Sequence, residues 1–407
     1  MLPTTATRDA GRLVSARSLR GFADGFVSVV LASYLVDIGF SPVEVGAIVT
    51  STLLGSAALT LAVGLWGADI PQRTVLISAT LLMAGTGLGF AGLTDFWPLL
   101  VVAFAGTLNP SGGDVSVFLP VEQSLLTTTV ADRQRTSLFA RYNLGGTFAA
   151  ALGALCSGLP VYVARRADLD LVDVERAAFL IYGVVALTLA AMYLRLERVQ
   201  GTLRRRGAPL AQSRGIVLRL SALFSLDSLG GGLVVQSLLA LWLFQRYDLS
   251  LGVTGAIFFA AGLLSASSQL AAAWLAERIG LIRTMVYTHL PANLFLVAAA
   301  LMPNVWLAVG FLLLRMSLSQ MDVPARQSYT MAVVPPEERV AAASVTNVPR
   351  SLAAATTPLL AGVMLNATTF GWPLIAAGLI KAVYDLLLLW QFRAIRPPEE
   401  LRDVGVH

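Results

Sequence analysis

The sequence predicts an all-α integral membrane protein in which twelve transmembrane helices form two pseudo-symmetric six-helix bundles. Three observations predict this fold: an apolar composition, twelve apolar stretches of spanning length, and an internal repeat. Of the 407 residues, 56% are hydrophobic and 13% are charged, and the mean hydropathy is +0.72. Soluble domains carry about twice that share of charged residues. The composition therefore favours a chain that lies in a bilayer.

The apolar stretches have the length that a bilayer requires. A hydrocarbon core about 30 Å thick needs roughly 20 apolar residues per helix. Membrane β-strands would instead alternate apolar and polar residues, and runs such as 99–106 and 294–302 do not alternate. The twelve predicted spans, numbered 1 to 12 in chain order, are 20–38, 43–66, 75–93, 98–127, 140–163, 177–195, 217–244, 251–275, 284–302, 305–330, 342–366 and 372–392.

An internal repeat divides these spans into two sets of six. The segment around Pro120 recurs around Pro324, 204 positions later. The matched residues are Pro120, Gln123, Ser124, Val130, Arg135 and Asn143 in the first copy, and Pro324, Gln327, Ser328, Val334, Arg339 and Asn347 in the second. Such a long period is typical of a duplicated domain. We expect an N-terminal bundle at 1–195, a basic cytoplasmic linker at 196–215 and a C-terminal bundle at 216–407.

The distribution of the 29 basic residues predicts the orientation. With a cytoplasmic N-terminus, four arginines lie outside, two basic residues lie within the membrane, and all the others face the cytoplasm. This bias follows the positive-inside rule, so both termini are predicted to be cytoplasmic, in a bacterial inner (plasma) membrane. The outer arginines are Arg165, Arg166, Arg176 and Arg246. The basic cluster at 195–219 is then a topology determinant and connector, and we expect no nucleic-acid partner.

Residue counts argue against several kinds of chemistry. One cysteine excludes an internal disulfide, and two histidines provide no metal cluster. We find no Ser/His/Asp or Cys/His constellation and no phosphate-binding loop motif. We therefore expect no enzyme activity, no cofactor and no ATP hydrolysis. The expected partners are a small-molecule substrate and the lipid bilayer around a monomer.

The six-plus-six arrangement, the basic linker and the repeat together resemble the major facilitator superfamily of transporters across essentially the whole chain. The loop between spans 8 and 9 is similar to that family's cytoplasmic motif of an acid, a base, a glycine and a further base. Its residues here are Glu277, Arg278, Gly280 and Arg283. The resemblance implies that the charged residues of this motif take part in gating. Helix-end charges in water are the alternative.

The loop between spans 2 and 3 carries a degraded copy of this motif. Asp69 and Arg73 are retained, but Ile70 and Gln72 stand where the family usually has arginine and glycine. We assign Asp69 and Arg73 the same gating role. Span 5 has several glycines but lacks the Gly-Pro step of drug-exporting members, so the resemblance does not decide between an exporter and another organic-solute carrier.

Ionisable residues inside the spans are the main candidates for a substrate or coupling site. Each costs at least about 2.5 kcal/mol at the bilayer centre, so these residues must face protein or water. The resemblance implies that spans 1, 4, 7 and 10 line a central cavity. The charged residues on these spans are Asp24, Asp114, Glu122, Asp227, Arg315 and Asp322, and Gln236 is a weaker candidate.

Arg315 is predicted near the middle of span 10, on one helical face with Ser319 and Asp322. Its planar guanidinium could bind an anionic solute group. It could equally form a buried ion pair with Asp114 or Asp322. Both alternatives stay open, and they can hold together if the solute exchanges with the pair.

Other charged residues are predicted to pair with each other. Glu122 and Arg326 occupy equivalent repeat positions, which suggests an interdomain salt bridge that closes the inner side in one state. Alternatively, each pairs within its own half, Arg326 with Asp322. Span 12 is the only remaining span in which we place deep charges, and Lys381 and Asp385 there lie four residues apart. We expect them to neutralise each other.

These observations predict a secondary transporter of a small organic solute that works by alternating access. Carboxylates removed from water can titrate near neutral pH, so Asp114 and Asp227 are candidates for proton coupling. A passive facilitator of the same fold is an alternative. A non-transporting membrane receptor or sensor is the rival from another class, and it has no reason to retain a charged cavity.

Overall fold

The computed structural model describes residues 7–66, 70–111, 116–126, 129–130, 135–197, 210–335 and 337–393. All regular secondary structure in these residues is helical. The helices are α1 (Arg8–Asp37), α2 (Pro42–Trp66), α3 (Gln72–Gly92), α4 (Phe96–Ala105), α5 (Phe118–Leu126), α6 (Arg135–Cys156), α7 (Leu159–Ala167), α8 (Leu171–Leu194), α9 (Arg214–Gly232), α10 (Gln236–Tyr247), α11 (Leu251–Ile279), α12 (Leu281–Leu301), α13 (Val305–Leu318), α14 (Asp322–Ala332), α15 (Arg339–Thr356), α16 (Pro358–Ala367) and α17 (Trp372–Phe392).

These helices form the twelve predicted spans. In the described part of the chain, ten helical stretches are long and apolar enough to cross a membrane. Three of the ten combine two of these helices: α6 with α7, α9 with α10, and α15 with α16. The other two spans, 4 and 10, consist of shorter pairs, α4 with α5 and α13 with α14. The predicted fold class is confirmed.

The interruptions of spans 4 and 10 follow the repeat. Helix α5 begins at Phe118 and α14 at Asp322, which are 204 positions apart. Each has a proline, Pro120 or Pro324, at its third residue. A proline is tolerated in the first turn of a helix but would remove a hydrogen bond from the interior of a continuous one. The sequence therefore places a helix start at the same point of both halves.

The described helices belong to two compact units that do not coincide with the sequence halves. Unit 1 comprises residues 1–204, 235–262 and 358–369, and unit 2 comprises 205–234, 263–357 and 370–407. Spans 7, 8 and 11 each pass from one unit to the other. In span 7 the passage lies between the end of α9 at Gly232 and the start of α10 at Gln236. The division into two pseudo-symmetric bundles stays a prediction.

Unit 1 packs through small residues. A Cβ built on Gly46 of α2 would lie 2.7 Å from the carbonyl oxygen of Pro358 in α16, and one on Gly158 would lie 2.7 Å from Cα of Gly252 in α11. Such close approach is typical of membrane helices. Two hydrogen bonds also join helical regions of this unit. Leu359 N donates to Thr50 Oγ1 at 2.9 Å, and Ser237 Oγ donates to the carbonyl of Pro110 at 2.8 Å.

Unit 2 has a core built by α9, α12, α14 and α17. The largest apolar side chains in it are aromatic: Phe224, Tyr329, Tyr384 and Phe392. Phe224 and Tyr384 meet edge to face with ring centroids 6.5 Å apart. Span 12 therefore presents an apolar and aromatic surface to spans 7, 9 and 10, and that packing encloses the charged side chains described next.

Candidate functional site: a buried charge cluster in unit 2

Asp227 of α9 is the centre of a buried charge cluster in unit 2. Its carboxylate accepts a hydrogen bond from Lys381 Nζ at 2.6 Å and one from Arg326 Nη1 at 3.1 Å. Nε2 of His289 lies 3.8 Å from Oδ1 of the same carboxylate. All four side chains are buried. One acid therefore faces three potential cations from three different helices.

The prediction that Lys381 and Asp385 neutralise each other is wrong. Lys381 donates to Asp227, and Asp385 pairs with α12 instead. Asp385 Oδ1 lies 2.9 Å from His289 Nδ1, and Asn293 Nδ2 donates to its Oδ2 at 2.9 Å. Residues four apart on a helix can meet, but tertiary partners on neighbouring helices were closer. His289 thus connects the carboxylates of Asp385 and Asp227.

Arg326 and Asp322 form the ion pair that was the alternative to an interdomain bridge. Their side chains lie four residues apart on α14, with Arg326 Nη1 3.6 Å from Asp322 Oδ2. The shorter contact of Arg326 is the one with Asp227. A pairing of Arg326 with Glu122 stays a prediction for another conformational state.

Arg315 does not pair with Asp322. The prediction assumed one continuous helix in span 10, but α13 ends at Leu318 and α14 begins at Asp322, so the shared helical face is interrupted. Arg315 Nη1 lies 3.1 Å from Met316 Sδ, and its Nε is buried without a hydrogen-bond partner. A thioether is a weak acceptor, so this guanidinium has no strong partner among the described residues.

Arg350 on α15 is a charged residue that the sequence analysis missed. Only span 12 was expected to add deep charges, yet Arg350 is partly buried in span 11 and lies within electrostatic range of Arg326, Asp227 and Asp322. No hydrogen bond or ion pair joins it to any residue that the structure describes. The sequence signal for it is its position inside predicted span 11, where a charged residue must face protein or water.

Glu122 of α5 is the centre of a second network, in unit 1. Its carboxylate accepts a charge-assisted hydrogen bond from Arg20 Nη2 at 2.6 Å. The hydroxyls of Tyr142 and Tyr193 donate to its two oxygens. Arg20 also donates to Ser116 at 3.0 Å. Glu122 and Arg20 are at most 1% exposed, and every donor in this network comes from unit 1.

Two further cavity candidates, Asp24 and Gln236, lie in unit 1. Tyr182 OH donates to Asp24 Oδ1 at 3.3 Å, and Gln236 Nε2 donates to Ser28 Oγ at 2.9 Å. Gln236 belongs to span 7 but to the part of it in unit 1. Asp114 lies outside the described residues.

The gating candidates lie at helix ends. Arg73 donates to the carbonyl of Leu194 at the end of α8. Glu277, Arg278 and Arg283 are exposed, and Arg278 lies over the ring of Trp274 at 4.1 Å. Gly280 between α11 and α12 has φ +86°, which favours glycine at this motif position. Asp69 lies outside the described residues, and the gating roles stay predictions.

Unit 1 also has an apolar pocket of about 370 Å³. Phe22, Phe26, Cys156, Ile181 and Tyr182 are among its lining residues, and almost none of the lining surface is polar. The pocket therefore offers none of the charged groups that distinguish the cluster around Asp227.

Comparison with known proteins gives the same fold and assigns the family. The chain is 24% identical to the uncharacterized membrane protein YJR124C of Saccharomyces cerevisiae, over 96% of this chain and 95% of that protein. A bacterial homolog of the human lysosomal transporter Spinster, in an inward-facing and occupied conformation, matches with a TM-score of 0.75 at 15% identity, over 95% of this chain and 97% of that one. The inward-open xylose transporter XylE from E. coli matches with a TM-score of 0.73 at 14% identity, over 94% and 96%.

Similarity at these identities shows the fold alone. The family model described as Major Facilitator Superfamily matches residues 13–352, which is most of the chain. This chain therefore belongs to the major facilitator superfamily and has the fold of a membrane transporter.

Proposed function

We propose that this protein is a secondary transporter that moves a small organic solute across a bacterial inner membrane by alternating access. The observation that carries the proposal is the buried cluster around Asp227. Charges in a membrane span are costly, and this cluster concentrates Asp227, Arg326, Lys381, His289 and Asp385 on four spans of one unit. A fold without transport would gain stability by replacing such residues with apolar ones.

Alternating access is supported by the division of spans 7, 8 and 11. In unit 1, the parts of spans 11 and 8 that belong to this unit pack on spans 2 and 5 through the glycine contacts described above, and the part of span 7 is hydrogen-bonded to span 4. With both termini cytoplasmic, these contacts lie at the outer end. Its closure fits the inward-facing state that the names of the two transporter structures state for them. The breaks at 232–236 and 356–358 are points at which spans 7 and 11 can bend, whereas span 8 is the continuous helix α11.

Proton coupling is supported by the position of His289. The ordinary pKa of histidine is the one closest to physiological pH, and this ring lies between the carboxylates of Asp385 and Asp227. Tyr384 packs edge to face on the ring at 6.0 Å, and Lys381, Arg326 and Asp322 complete the charged surroundings. A proton gained or lost by His289 would change the balance of contacts that the Asp227 carboxylate makes with His289, Lys381 and Arg326.

The orientation and the monomeric state belong to the same proposal. The arginine bias supports cytoplasmic termini, and the basic residues of the linker are accounted for by topology without a nucleic-acid partner. No metal-binding group of three or more His, Cys, Asp or Glu side chains occurs in the described part of the chain.

The direct test is counterflow of labelled solutes in proteoliposomes, with and without an imposed pH gradient. We expect uptake of at least one small organic solute against an excess of the same unlabelled solute inside. Accumulation that follows the pH gradient would support proton coupling. Counterflow without gradient-driven accumulation would favour a passive facilitator. Binding without any counterflow would favour a receptor or sensor and contradict the proposal.

A further inference from the structure

We propose that unit 2 selects an anionic solute, with Arg315 and Arg350 as the residues that bind its acidic group. This inference rests on the proposed transport function and names the chemical class of its solute. The acidic group would be a carboxylate or a group of similar geometry, since a guanidinium forms two parallel hydrogen bonds with such groups.

The first step is the charge balance of the cluster. Arg315, Arg326, Arg350 and Lys381 supply four permanent positive charges in unit 2, and three buried carboxylates lie in the same unit. The carboxylates are those of Asp227, Asp322 and Asp385. The described cluster thus has one positive charge in excess, and two when His289 is protonated. An uncompensated buried cation is costly, and one bound anion would remove the excess.

The second step is the assignment of the existing partners. Asp227 is held by Lys381 and Arg326, and Asp322 lies beside Arg326. Asp385 is held by His289 and Asn293. Every carboxylate of the cluster is therefore already engaged by residues other than Arg315 and Arg350.

The third step is the state of the two remaining arginines. The only hydrogen-bond partner of Arg315 among the described residues is the sulfur of Met316, and its Nε has none. Arg350 has no ion pair or hydrogen bond in that part of the chain and feels the like charge of Arg326. Both arginines lie within electrostatic range of Asp227. Each of these two guanidinium groups therefore has donors that no described residue uses and that are available to an anion.

The inference predicts that the two arginines do not stabilise the empty protein. An arginine in a structural ion pair would leave a buried carboxylate unpaired on removal and lower the unfolding temperature. Arg315→Gln and Arg350→Gln should instead leave the unfolding temperature of the ligand-free protein unchanged or raise it. A clear decrease for both variants would mean that they have structural partners and would overturn the inference.

The binding test uses the purified full chain in nanodiscs and pairs each acid with its neutral amide. The probes are benzoate with benzamide and succinate with succinamide, together with inorganic phosphate. We expect at least one anion to bind roughly tenfold or more tightly than its neutral counterpart. Arg315→Gln and Arg350→Gln should each remove most of that preference. Arg219→Gln, which changes an exposed arginine on α9, should retain it.

The same probes in counterflow separate this inference from the transport proposal. Movement of amides as well as acids would overturn anion selection and leave the transporter intact. Preferential binding of acids without counterflow would support the anion site and contradict transport. An absence of any preference for an anion in both assays would overturn the inference.

Discussion

The two buried charge networks occupy equivalent places in the repeat but are built differently. Glu122 on α5 and Arg326 on α14 are 204 positions apart, and each pairs with the first span of its own half, Glu122 with Arg20 and Arg326 with Asp227. The charges are reversed between the halves. The repeat therefore preserves a connection between spans 1 and 4 and between spans 7 and 10, while the sign of each partner is exchanged.

The difference lies in what surrounds each pair. Glu122 accepts hydrogen bonds from one arginine and two tyrosine hydroxyls. The two hydroxyls are neutral donors, so Arg20 is the one cation of this described network. Asp227 is shared among Lys381, Arg326 and the nearby His289, so its charge can be redistributed. From this difference we expect the network in unit 1 to be mainly structural and the cluster in unit 2 to respond to a proton or a solute.

The largest expected effect is on stability when the pair in unit 1 is broken. Arg20→Met leaves Glu122 buried with only hydroxyl partners, and breaking a buried pair in this way costs about 3–5 kcal/mol. Thermal unfolding in detergent should show this loss, and Arg8→Gln, at an exposed position of the same helix, should not. In a double-mutant cycle with Glu122→Gln, the double variant should lose less than the sum of the single changes. Additive losses would mean that the two side chains do not depend on each other.

A smaller loss is expected when one cation of unit 2 is removed. Lys381→Met leaves Asp227 with Arg326 at 3.1 Å and His289 at 3.8 Å, so we expect a destabilisation of about 1–3 kcal/mol, below that of Arg20→Met. The same unfolding assay measures it. A loss equal to or above that of Arg20→Met would show that the cluster depends on one pair and would remove the contrast between the units.

The sequence predicted the spans because their length and composition are local properties, but span 10 was predicted as one continuous helix, and its break before α14 was missed. It did not predict which charges pair. Lys381 was assigned to Asp385 because the two lie on one helical face, but Asp227 and His289 are supplied by other helices, and their distances depend on packing that a sequence does not contain. Arg20 and Arg350 were both counted as cytoplasmic residues, although Arg20 is the first residue of predicted span 1 and Arg350 lies well inside predicted span 11.

The smallest expected effect concerns Glu338 and the C-terminal end of the linker. The Glu338 carboxylate accepts hydrogen bonds from the hydroxyl of Ser213 and from the backbone N–H groups of Gln212 and Ala211 at 2.9 and 3.0 Å. These donors lower the pKa of Glu338 from 4.5 to about 2. A lowered pKa means that its stabilising effect is fully present above pH 4.5 and is lost as the pH falls towards 2.

Glu338→Gln should therefore lower the unfolding temperature slightly at pH 7, and the difference from the unchanged protein should shrink as the pH falls below about 4.5. Unfolding scans between pH 3 and 7 measure this. Glu337→Gln, at the exposed neighbouring position, is the matched control. A difference that stays constant with pH would show that the charge of Glu338 does not contribute.

The measurement that tests the account most directly compares accumulation with exchange for Asp227→Asn in proteoliposomes. If the cluster in unit 2 couples solute to protons, this variant should lose accumulation driven by a pH gradient. It should keep exchange of solute for solute, because exchange needs no change in protonation. Retained exchange also shows that the variant is folded. Retention of gradient-driven accumulation by Asp227→Asn would contradict the central claim that the cluster around Asp227 is the responsive part of the molecule.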